Sequence, residues 1–238
     1  VERSRGLGDV YKRQVSMKLK LLYVLRHGQT EWNAQRRMQG RLNSPITEQG
    51  KVQADAHGAV LKRLGGVDHL WVSTAGRAQQ TAALVNAHLQ APLEYSDMLV
   101  ERDCGQWAGK TLSDVESEDA DGLQALRDDP YNHRPGGGEN LVDLGARIAP
   151  LMPKIKQVER AAVISHGVVT KALLQHFLQL SPEEVIRITH PNDLFFRVSF
   201  NDTGHCCDRF VLGEVNPEQP QAGLFLSDLP PQQPIQSE

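Results

Sequence analysis

Two segments of the chain, VLRHG at 24–28 and VISHG at 163–167, have the same local design. In each segment a histidine comes just past an apolar run, after one polar residue, and a glycine follows that histidine. A parallel sheet binds its ligands beyond the carboxyl ends of its strands, often beside the N-terminus of a following helix. We therefore expect His27 and His166 to meet at one rim of a sheet, where they could bind or attack an anion.

Two arginines are expected at the same rim. Arg26 directly precedes His27, and Arg77 opens the helical pattern that follows the apolar run 69–73. A cation at a helix N-terminus opposes the helix dipole unless an anion offsets it. Two guanidinium groups with fixed donor forks suit a phosphoryl group. The residue types thus predict a phosphate pocket, in which a glycine after each histidine would let the backbone approach the anion.

The segments that would position these residues alternate between strand and helix patterns. Short apolar strands alternating with helices predict an α/β fold, a three-layer α/β/α sandwich with a mainly parallel central sheet. The predicted strands cover 19–25, 69–73, 161–165 and 194–200, with an edge strand near 209–213, and the predicted helices cover 47–64, 76–90, 140–157 and 167–179.

The length of 238 residues fits one large domain, which we place at 17–213. Residues 102–139 combine acidic and glycine-rich stretches, and they are predicted to form an irregular, partly helical excursion over the active site. Residues 1–16 lack apolar periodicity and capping signals, so we interpret them as a non-native or disordered extension. Residues 214–238 are rich in proline and glutamine and are expected to be an extended or disordered tail, although the apolar island 223–226 could dock on the body.

Composition excludes several classes of function. The net charge of −3 argues against a general nucleic-acid binder, and no stretch approaches the roughly 18 apolar residues of a membrane span. The three cysteines have no paired spacing, which is typical of a reducing compartment and predicts no metal site. We expect a cytoplasmic protein that needs no metal or cofactor and whose partner is a small phosphorylated metabolite. The sequence predicts no oligomeric state.

Six blocks of the sequence, in order, resemble the histidine phosphatase superfamily, which includes the cofactor-dependent phosphoglycerate mutases. They lie between about Lys20 and Phe200 and read RHGQTEWN, RMQGRLNSPITEQG, STAGRAQQTA, LVERDCGQWAG, GGGEN and SHGVVTKALL. An RHG triplet alone is a weak signal, whereas six blocks in the same order are specific.

The resemblance implies a role for each matching residue. His27 would be the nucleophile that takes the phosphoryl group as a phosphohistidine. Arg26, Arg77 and His166 would hold the phosphoryl oxygens. Glu101, in LVERD, lies where the family keeps its proton donor.

Further positions are implied to bind substrate. Asn33 and Gln39 align with residues that line the phosphate pocket in some members, and Gly28 and Gly167 follow the two histidines. Asn140 stands where the family usually has serine and Asn43 where aspartate is frequent, so substrate preference is in question at these two positions. Six other histidines are expected to be structural or to lie in loops that could border the pocket: His57, His69, His88 and His176 in the first group, His133 and His190 in the second.

The chemistry of the residues supports the same reaction. Hydrolysis of phosphate monoesters is very slow without a catalyst, and cationic donors aimed at the transferring group supply much of the stabilisation needed. A histidine nucleophile must be neutral, and the charges of Arg26 and Arg77 should lower the pKa of His27. A covalent intermediate divides the reaction into two easier steps, and one carboxylic acid can protonate the leaving group and later activate water. We therefore expect a metal-independent phosphatase of small phosphomonoesters, a histidine acid-type phosphomonoesterase.

Two other functions remain open at this point. A cofactor-dependent phosphoglycerate mutase would carry a longer insertion and more basic residues between Glu101 and His166 than this chain has. A non-catalytic phosphate-binding module is disfavoured because all the central groups are present.

Overall fold

The structure, a computed structural model, describes residues 17–213 and 219–225. The predictions made for 1–16, and for the tail at 214–218 and 226–238, lie outside the described residues.

The described residues form a seven-stranded sheet whose centre is parallel. The strand order is β3-β2-β4-β1-β5-β6-β7. β1 to β4 run parallel to one another, whereas β5 pairs antiparallel with β1, β6 with β5 and β7 with β6. The strands are β1 (Leu21–Arg26), β2 (His69–Ser73), β3 (Leu93–Ser96), β4 (Arg160–Ser165), β5 (Leu194–Asn201), β6 (Gly204–Val211) and β7 (Gln221–Ala222).

Helices cover both faces of this sheet, and the predicted three-layer α/β/α sandwich is confirmed. The helices are α1 (Glu31–Ala34), α2 (Glu48–Arg63), α3 (Gly76–Leu89), α4 (Leu112–Glu118), α5 (Ala120–Asp128), α6 (Leu141–Ile148), α7 (Met152–Ile155), α8 (Gly167–Leu178) and α9 (Pro182–Arg187). Apolar side chains of α2 and α3 form one core cluster with one face of the sheet, and those of α6 and α8 form a second cluster with the other. β1 and β4 are buried on both faces, which explains their nearly continuous apolar sequences.

The register of the central strands brings the predicted site residues together. Arg26 is paired with Ser165 across β1 and β4, so His27 and His166 follow at the same level of the sheet. β2 lies on the other side of β4 and ends at Ser73. Three parallel strands therefore deliver their carboxyl ends to one rim.

Two predicted elements differ from the structure. The helix predicted over 140–157 is broken into α6, a short 3-10 segment and α7, because Pro150 and Pro153 cannot supply the N–H groups of a continuous helix. The strand predicted near 209–213 begins earlier, at Gly204, and pairs with β5 along its whole length. The short elements α1, α9 and β3 had no sequence prediction.

The excursion over the rim is a folded substructure with its own small core. Cys104, Trp107, Val115 and Leu123 are buried against one another. The indole Nε1 of Trp107 donates to Asp119 at 2.8 Å, which ties the segment before α4 to the start of α5. The excursion, predicted to be partly helical, thus contains the two short helices α4 and α5.

A short segment beyond the predicted domain boundary at 213 packs on the sheet. β7 pairs with β6, and the guanidinium of Arg209 donates to the carbonyls of Ala222 and Phe225. Leu224 is buried in the core cluster that α6 and α8 share with the sheet. The described part of the apolar island 223–226 is therefore packed on the domain.

Gly50 provides a test of how α2 is seated against the chain that follows β1. A Cβ at Gly50 would lie 2.2 Å from the carbonyl oxygen of Gln29, whereas a Cβ at Gly145, inside α6, meets nothing within 4 Å. We expect Gly50→Ala to lower the free energy of unfolding by at least about 2 kcal/mol, because backbone must move. Gly145→Ala should raise it by about 0.5–1 kcal/mol, because alanine favours a helix interior. Thermal and urea unfolding measure both changes, and equal effects of the two substitutions would contradict this seating.

Candidate active site

A cavity of about 230 Å³ opens at the rim where β1, β2 and β4 end. Six of the predicted site residues line it: Arg26, His27, Asn33, Gln39, Arg77 and Glu101. His166 is not among the lining residues, but its ring centroid lies 5.1 Å from that of His27. The structure thus brings the predicted catalytic residues together.

His27 is buried, and its surroundings fix which ring nitrogen carries the proton. Nδ1 lies 2.8 Å from the carbonyl oxygen of Gly28, which can only accept, so Nδ1 donates and Nε2 carries the lone pair. Arg77 Nε donates to this Nε2 at 3.2 Å. Burial, followed by the charges of Arg26 and Arg77, holds the pKa of His27 well below its usual value. The imidazole is therefore neutral, with a nucleophilic nitrogen facing two guanidinium groups.

Arg77 is held by the backbone of the loop before α2. Its Nη1 donates to the carbonyl of Leu42 at 2.7 Å and its Nη2 to that of Gly40 at 2.9 Å. Each of these nitrogens keeps a second hydrogen, so Arg77 can still donate to an anion. Burial lowers the pKa of Arg77 to about 10, with Glu101 acting in the opposite direction. The group stays positively charged at neutral pH.

Arg26 is also oriented by a backbone carbonyl, here from the loop before β5. Its Nη1 donates to the carbonyl of His190 at 2.7 Å, and its Nε is buried without a hydrogen-bond partner among the described residues. Burial lowers the pKa of Arg26, and the charge of Glu101 partly opposes this. An anion in the cavity would supply the acceptor that Nε lacks. Gly167 lies against this guanidinium, where a Cβ would be 3.6 Å from Cζ of Arg26.

Ser73 determines the tautomer of His166. Its Oγ lies 2.8 Å from Nε2 of His166 and accepts the N–H of Ala75 at 3.2 Å. Within the described chain, Nε2 of His166 is the one acceptor available to the serine hydroxyl, so the hydroxyl donates to it. Nδ1 then carries the imidazole proton, and it is buried without a hydrogen-bond partner among these residues. Burial, with the charge of Arg77 next, holds the pKa of His166 well below its usual value. His166 is thus a neutral donor beside His27.

Glu101 presents its carboxylate to the cavity from a fixed position. Oε1 accepts the backbone N–H of Arg102 at 2.8 Å, and Oε2 accepts that of Val168 at 3.3 Å, in the first turn of α8. A carboxyl group held in this way can give a proton to a leaving group and later take one from water.

Asn33 and Gln39 line the cavity next to Thr30. Asn33 Oδ1 accepts the backbone N–H of Thr30 at 3.1 Å as part of the capping box of α1. Gln39 Nε2 lies 2.6 Å from Oγ1 of Thr30, and its Oε1 is buried without a partner in this part of the chain. Exchanging the two ends of this amide would let Thr30 donate to Oε1 and would leave the NH₂ group free to bind an anion.

Gly28 has a structural role that the sequence did not predict. Its N–H donates to Oγ1 of Thr81 at 3.0 Å, and a Cβ at this position would lie 2.3 Å from the carbonyl oxygen of Gly50. Packing against Gly50 is a sufficient reason for a glycine at position 28, and the predicted approach of an anion to Gly28 stays a prediction. The missing side chain lets the start of α2 approach β1 closely.

Two positions that departed from the family pattern lie at helix ends. Asn43 Oδ1 accepts the backbone N–H of Arg77 at 3.0 Å, near the start of α3. Asn140 is the N-cap of α6 and shares a capping box with Asp143. Asn140 thus caps α6, whereas Asn43 accepts an N–H in the first turn of α3 from a separate loop. These contacts give both asparagines a structural role and do not bear on substrate preference.

Sequence reasoning missed three residues that position the site. Ser73 could have been inferred, because it ends the strand beside β4, from which His166 emerges. His190 was expected at most to border the pocket. It is buried, its pKa is lowered to about 3 chiefly by burial, and its carbonyl orients Arg26. Asn192 donates its Nδ2 to the carbonyl of His27 at 2.7 Å, and no local pattern in the loop before β5 indicated this contact.

Across the described residues no group of three or more His, Cys, Asp or Glu side chains is arranged to hold a metal ion. No helix in the described ranges is both long enough and apolar enough to cross a membrane.

Comparison with known proteins agrees with the geometry. A sequence model of the histidine phosphatase superfamily (branch 1) matches residues 22–212. A 2,3-bisphosphoglycerate-dependent phosphoglycerate mutase of Methylobacterium radiotolerans is 32% identical over 195 residues, which cover 77% of this chain and 92% of the mutase.

Solved structures share the fold. A mycobacterial glucosyl-3-phosphoglycerate phosphatase has a TM-score of 0.70 at 25% identity, covering 86% of this chain and 97% of that one. The α-ribazole phosphatase of Shigella flexneri has a TM-score of 0.70 at 23% identity, covering 78% and 93%, and at that identity the likeness concerns the fold alone.

Proposed function

The chain belongs to the histidine phosphatase superfamily, and from this premise we propose that it is a metal-independent phosphatase that hydrolyses small phosphomonoesters through a phosphohistidine on His27. The observation that carries the proposal is the neutral His27, whose unprotonated Nε2 faces Arg26 and Arg77 in a small cavity.

In the first step, the lone pair on Nε2 of His27 attacks phosphorus, and the bond from phosphorus to the ester oxygen breaks. The entering phosphoryl group takes the place of the hydrogen bond from Arg77 Nε, which then donates to a phosphoryl oxygen. Glu101, in its acid form, protonates the leaving alkoxide. The bond from Nδ1–H to the Gly28 carbonyl stabilises the phosphorylated ring, which becomes cationic as the new bond forms.

In the second step, water attacks the phosphoryl group and gives a proton to the Glu101 carboxylate. The bond from phosphorus to Nε2 breaks, and inorganic phosphate leaves with His27 neutral again. Arg26, Arg77 and the Nδ1–H of His166 surround the transferring group in both steps and stabilise its charge.

A phosphoglycerate mutase is the second candidate, and the 32% identical Methylobacterium radiotolerans relative favours it. A mutase would return the phosphoryl group to a second hydroxyl of the substrate and would depend on the bisphosphate. Interconversion of 2- and 3-phosphoglycerate that exceeds hydrolysis would establish that function in place of the phosphatase.

The phosphatase proposal is tested with p-nitrophenyl phosphate in excess EDTA. We expect turnover to survive the chelator, and His27→Ala to lower it by at least about 10³-fold, because the covalent route is lost. His205→Ala, an exposed histidine on β6, is the matched control and should keep full activity. Retained turnover in His27→Ala would remove the proposed nucleophile.

Glu101→Gln tests the acid role separately from the nucleophile. We expect turnover of an alkyl phosphate to fall by about 10²-fold or more, because its alkoxide needs the proton. Turnover of p-nitrophenyl phosphate should fall much less, since p-nitrophenolate leaves without one. Equal losses on the two substrates, measured as kcat/KM, would show that Glu101 is not the acid.

A further inference from the structure

The segment that carries Glu101 is held by an arginine and a glutamate that lie outside the cavity. β3 ends at Ser96, and the chain from 97 to 103 then leaves the sheet as a short 3-10 turn followed by irregular backbone. Sheet hydrogen bonds therefore do not fix the position of Glu101. Arg147, on α6, and Glu139, in the GGGEN block, are absent from the cavity wall. Together they bond to the backbone on both sides of Glu101.

Arg147 binds the backbone on the N-terminal side of Glu101. Its Nη1 donates to the carbonyl of Met98 at 2.8 Å and to that of Val100 at 2.9 Å. Its Nη2 lies 3.5 Å from the carbonyl oxygen of Glu101 itself, at the limit of a hydrogen bond. Because the planar guanidinium presents its donors in a rigid fork, these carbonyls are held in one geometry, which a lysine ammonium could not reproduce.

Glu139 orients Arg147 and binds the backbone on the other side of Glu101. Its Oε1 and Oε2 accept Nε and Nη2 of Arg147 at 2.9 and 3.0 Å, in a bidentate ion pair whose side chains are each only 17% exposed. Oε2 also accepts the backbone N–H of Asp103 at 2.9 Å, and the backbone N–H of Glu139 donates to the carbonyl of Asp103 at 3.0 Å. Charge-assisted bidentate pairs of this kind are strong and geometrically specific.

The glycine before Glu139 allows the two stretches of chain to come this close. A Cβ at Gly138 would lie 2.1 Å from the carbonyl oxygen of Asp103, so main chain packs directly on main chain at this crossing. The glycine-rich block at 136–140 thus has a structural role beyond forming a loop. It brings the Glu139 carboxylate to the segment that carries the proton donor.

The direction of the Glu101 carboxyl group depends on this backbone. Oε1 accepts the N–H of Arg102, the next residue, and Oε2 accepts the N–H of Val168 in α8. The first of these bonds is made within the segment that the ion pair holds, so a shift of 98–103 would move the carboxyl group relative to α8. A proton donor must lie within hydrogen-bond reach of the leaving oxygen, and misplacement by about 1 Å can cost about 10²-fold in rate.

From these contacts we propose that Arg147 and Glu139 are positioning residues for the proton donor. Their ion pair holds the Glu101 carboxyl group where it can protonate the leaving alkoxide. The proposal rests on the phosphatase function and on Glu101 as its acid. Because neither residue lines the cavity, loss of the pair should impair protonation of the leaving group and leave attack by His27 intact.

Two esters with different leaving groups separate this role from a general loss of structure. Propyl phosphate needs a proton on its leaving alkoxide, whereas p-nitrophenolate leaves without one. We expect Arg147→Gln to lower kcat/KM for propyl phosphate by at least about 10-fold more than for p-nitrophenyl phosphate. In the Glu101→Gln background, the same substitution should change kcat/KM for propyl phosphate by less than about 3-fold, because residues that act as a unit are not additive.

Matched variants assign the effect to the ion pair. Glu139→Gln keeps the shape of the side chain and weakens the bond to Arg147, so it should show the same selectivity between the two esters. Arg134→Gln is the control, because Arg134 forms a similar bidentate pair with Asp143 at the exposed surface. It should leave kcat/KM for both esters within about 2-fold of the wild type. Thermal unfolding shows whether each variant is folded.

Equal fractional losses on the two esters in the folded variants would overturn the proposal. A full further loss from Arg147→Gln in the Glu101→Gln background would also overturn it. If Arg147→Gln does not fold, Glu139→Gln decides the outcome alone. Wild-type protein that hydrolyses neither ester would refute the phosphatase function itself, whereas turnover of both esters without the selective loss would refute the positioning role alone.

Discussion

The whole site depends on keeping one histidine neutral in the middle of positive charge. His27 can attack phosphorus only while the Nε2 lone pair is free, and phosphate is bound by cations that also disfavour the imidazolium form. Burial and the guanidinium groups of Arg26 and Arg77 therefore act in the same direction on the pKa of His27. The groups that bind the substrate therefore also keep His27 neutral, with its Nε2 lone pair free to attack.

This arrangement requires arginines that are oriented without being neutralised. Arg77 is held by the carbonyls of Gly40 and Leu42, and Arg26 by the carbonyl of His190. A carboxylate partner would hold the same side chains but would cancel their charge and favour the imidazolium of His27. Backbone carbonyls are weak dipoles, so the charge remains available to the substrate. The loops after α1 and before β5 thus serve the site through their main chains.

The sequence predicted the charged and nucleophilic side chains of the site but not the main-chain contacts that orient them. His27, His166, Arg26 and Arg77 could be placed because strand periodicity and the geometry of parallel sheets bring the ends of β1, β2 and β4 together. Contacts made by main-chain carbonyls, such as that of His190 with Arg26, carry no side-chain signature and could not be predicted. The packing role of Gly28 could not be predicted, because its close neighbour, Gly50, is distant in sequence. The helix predicted over 140–157 is interrupted because Pro150 and Pro153 lack the N–H groups that a continuous helix needs, although the apolar pattern of the segment is helical.

The state of His27 can be measured directly by two-bond ¹H–¹⁵N correlation NMR of the imidazole rings, with His27→Gln to assign the signals. We predict a neutral ring with its proton on Nδ1 and an unprotonated Nε2 at and above pH 6.5, because burial and the charges of Arg26 and Arg77 hold the pKa of His27 well below its usual value. A ring that titrates to imidazolium near pH 6.5, or one that carries its proton on Nε2, would contradict the account at its centre.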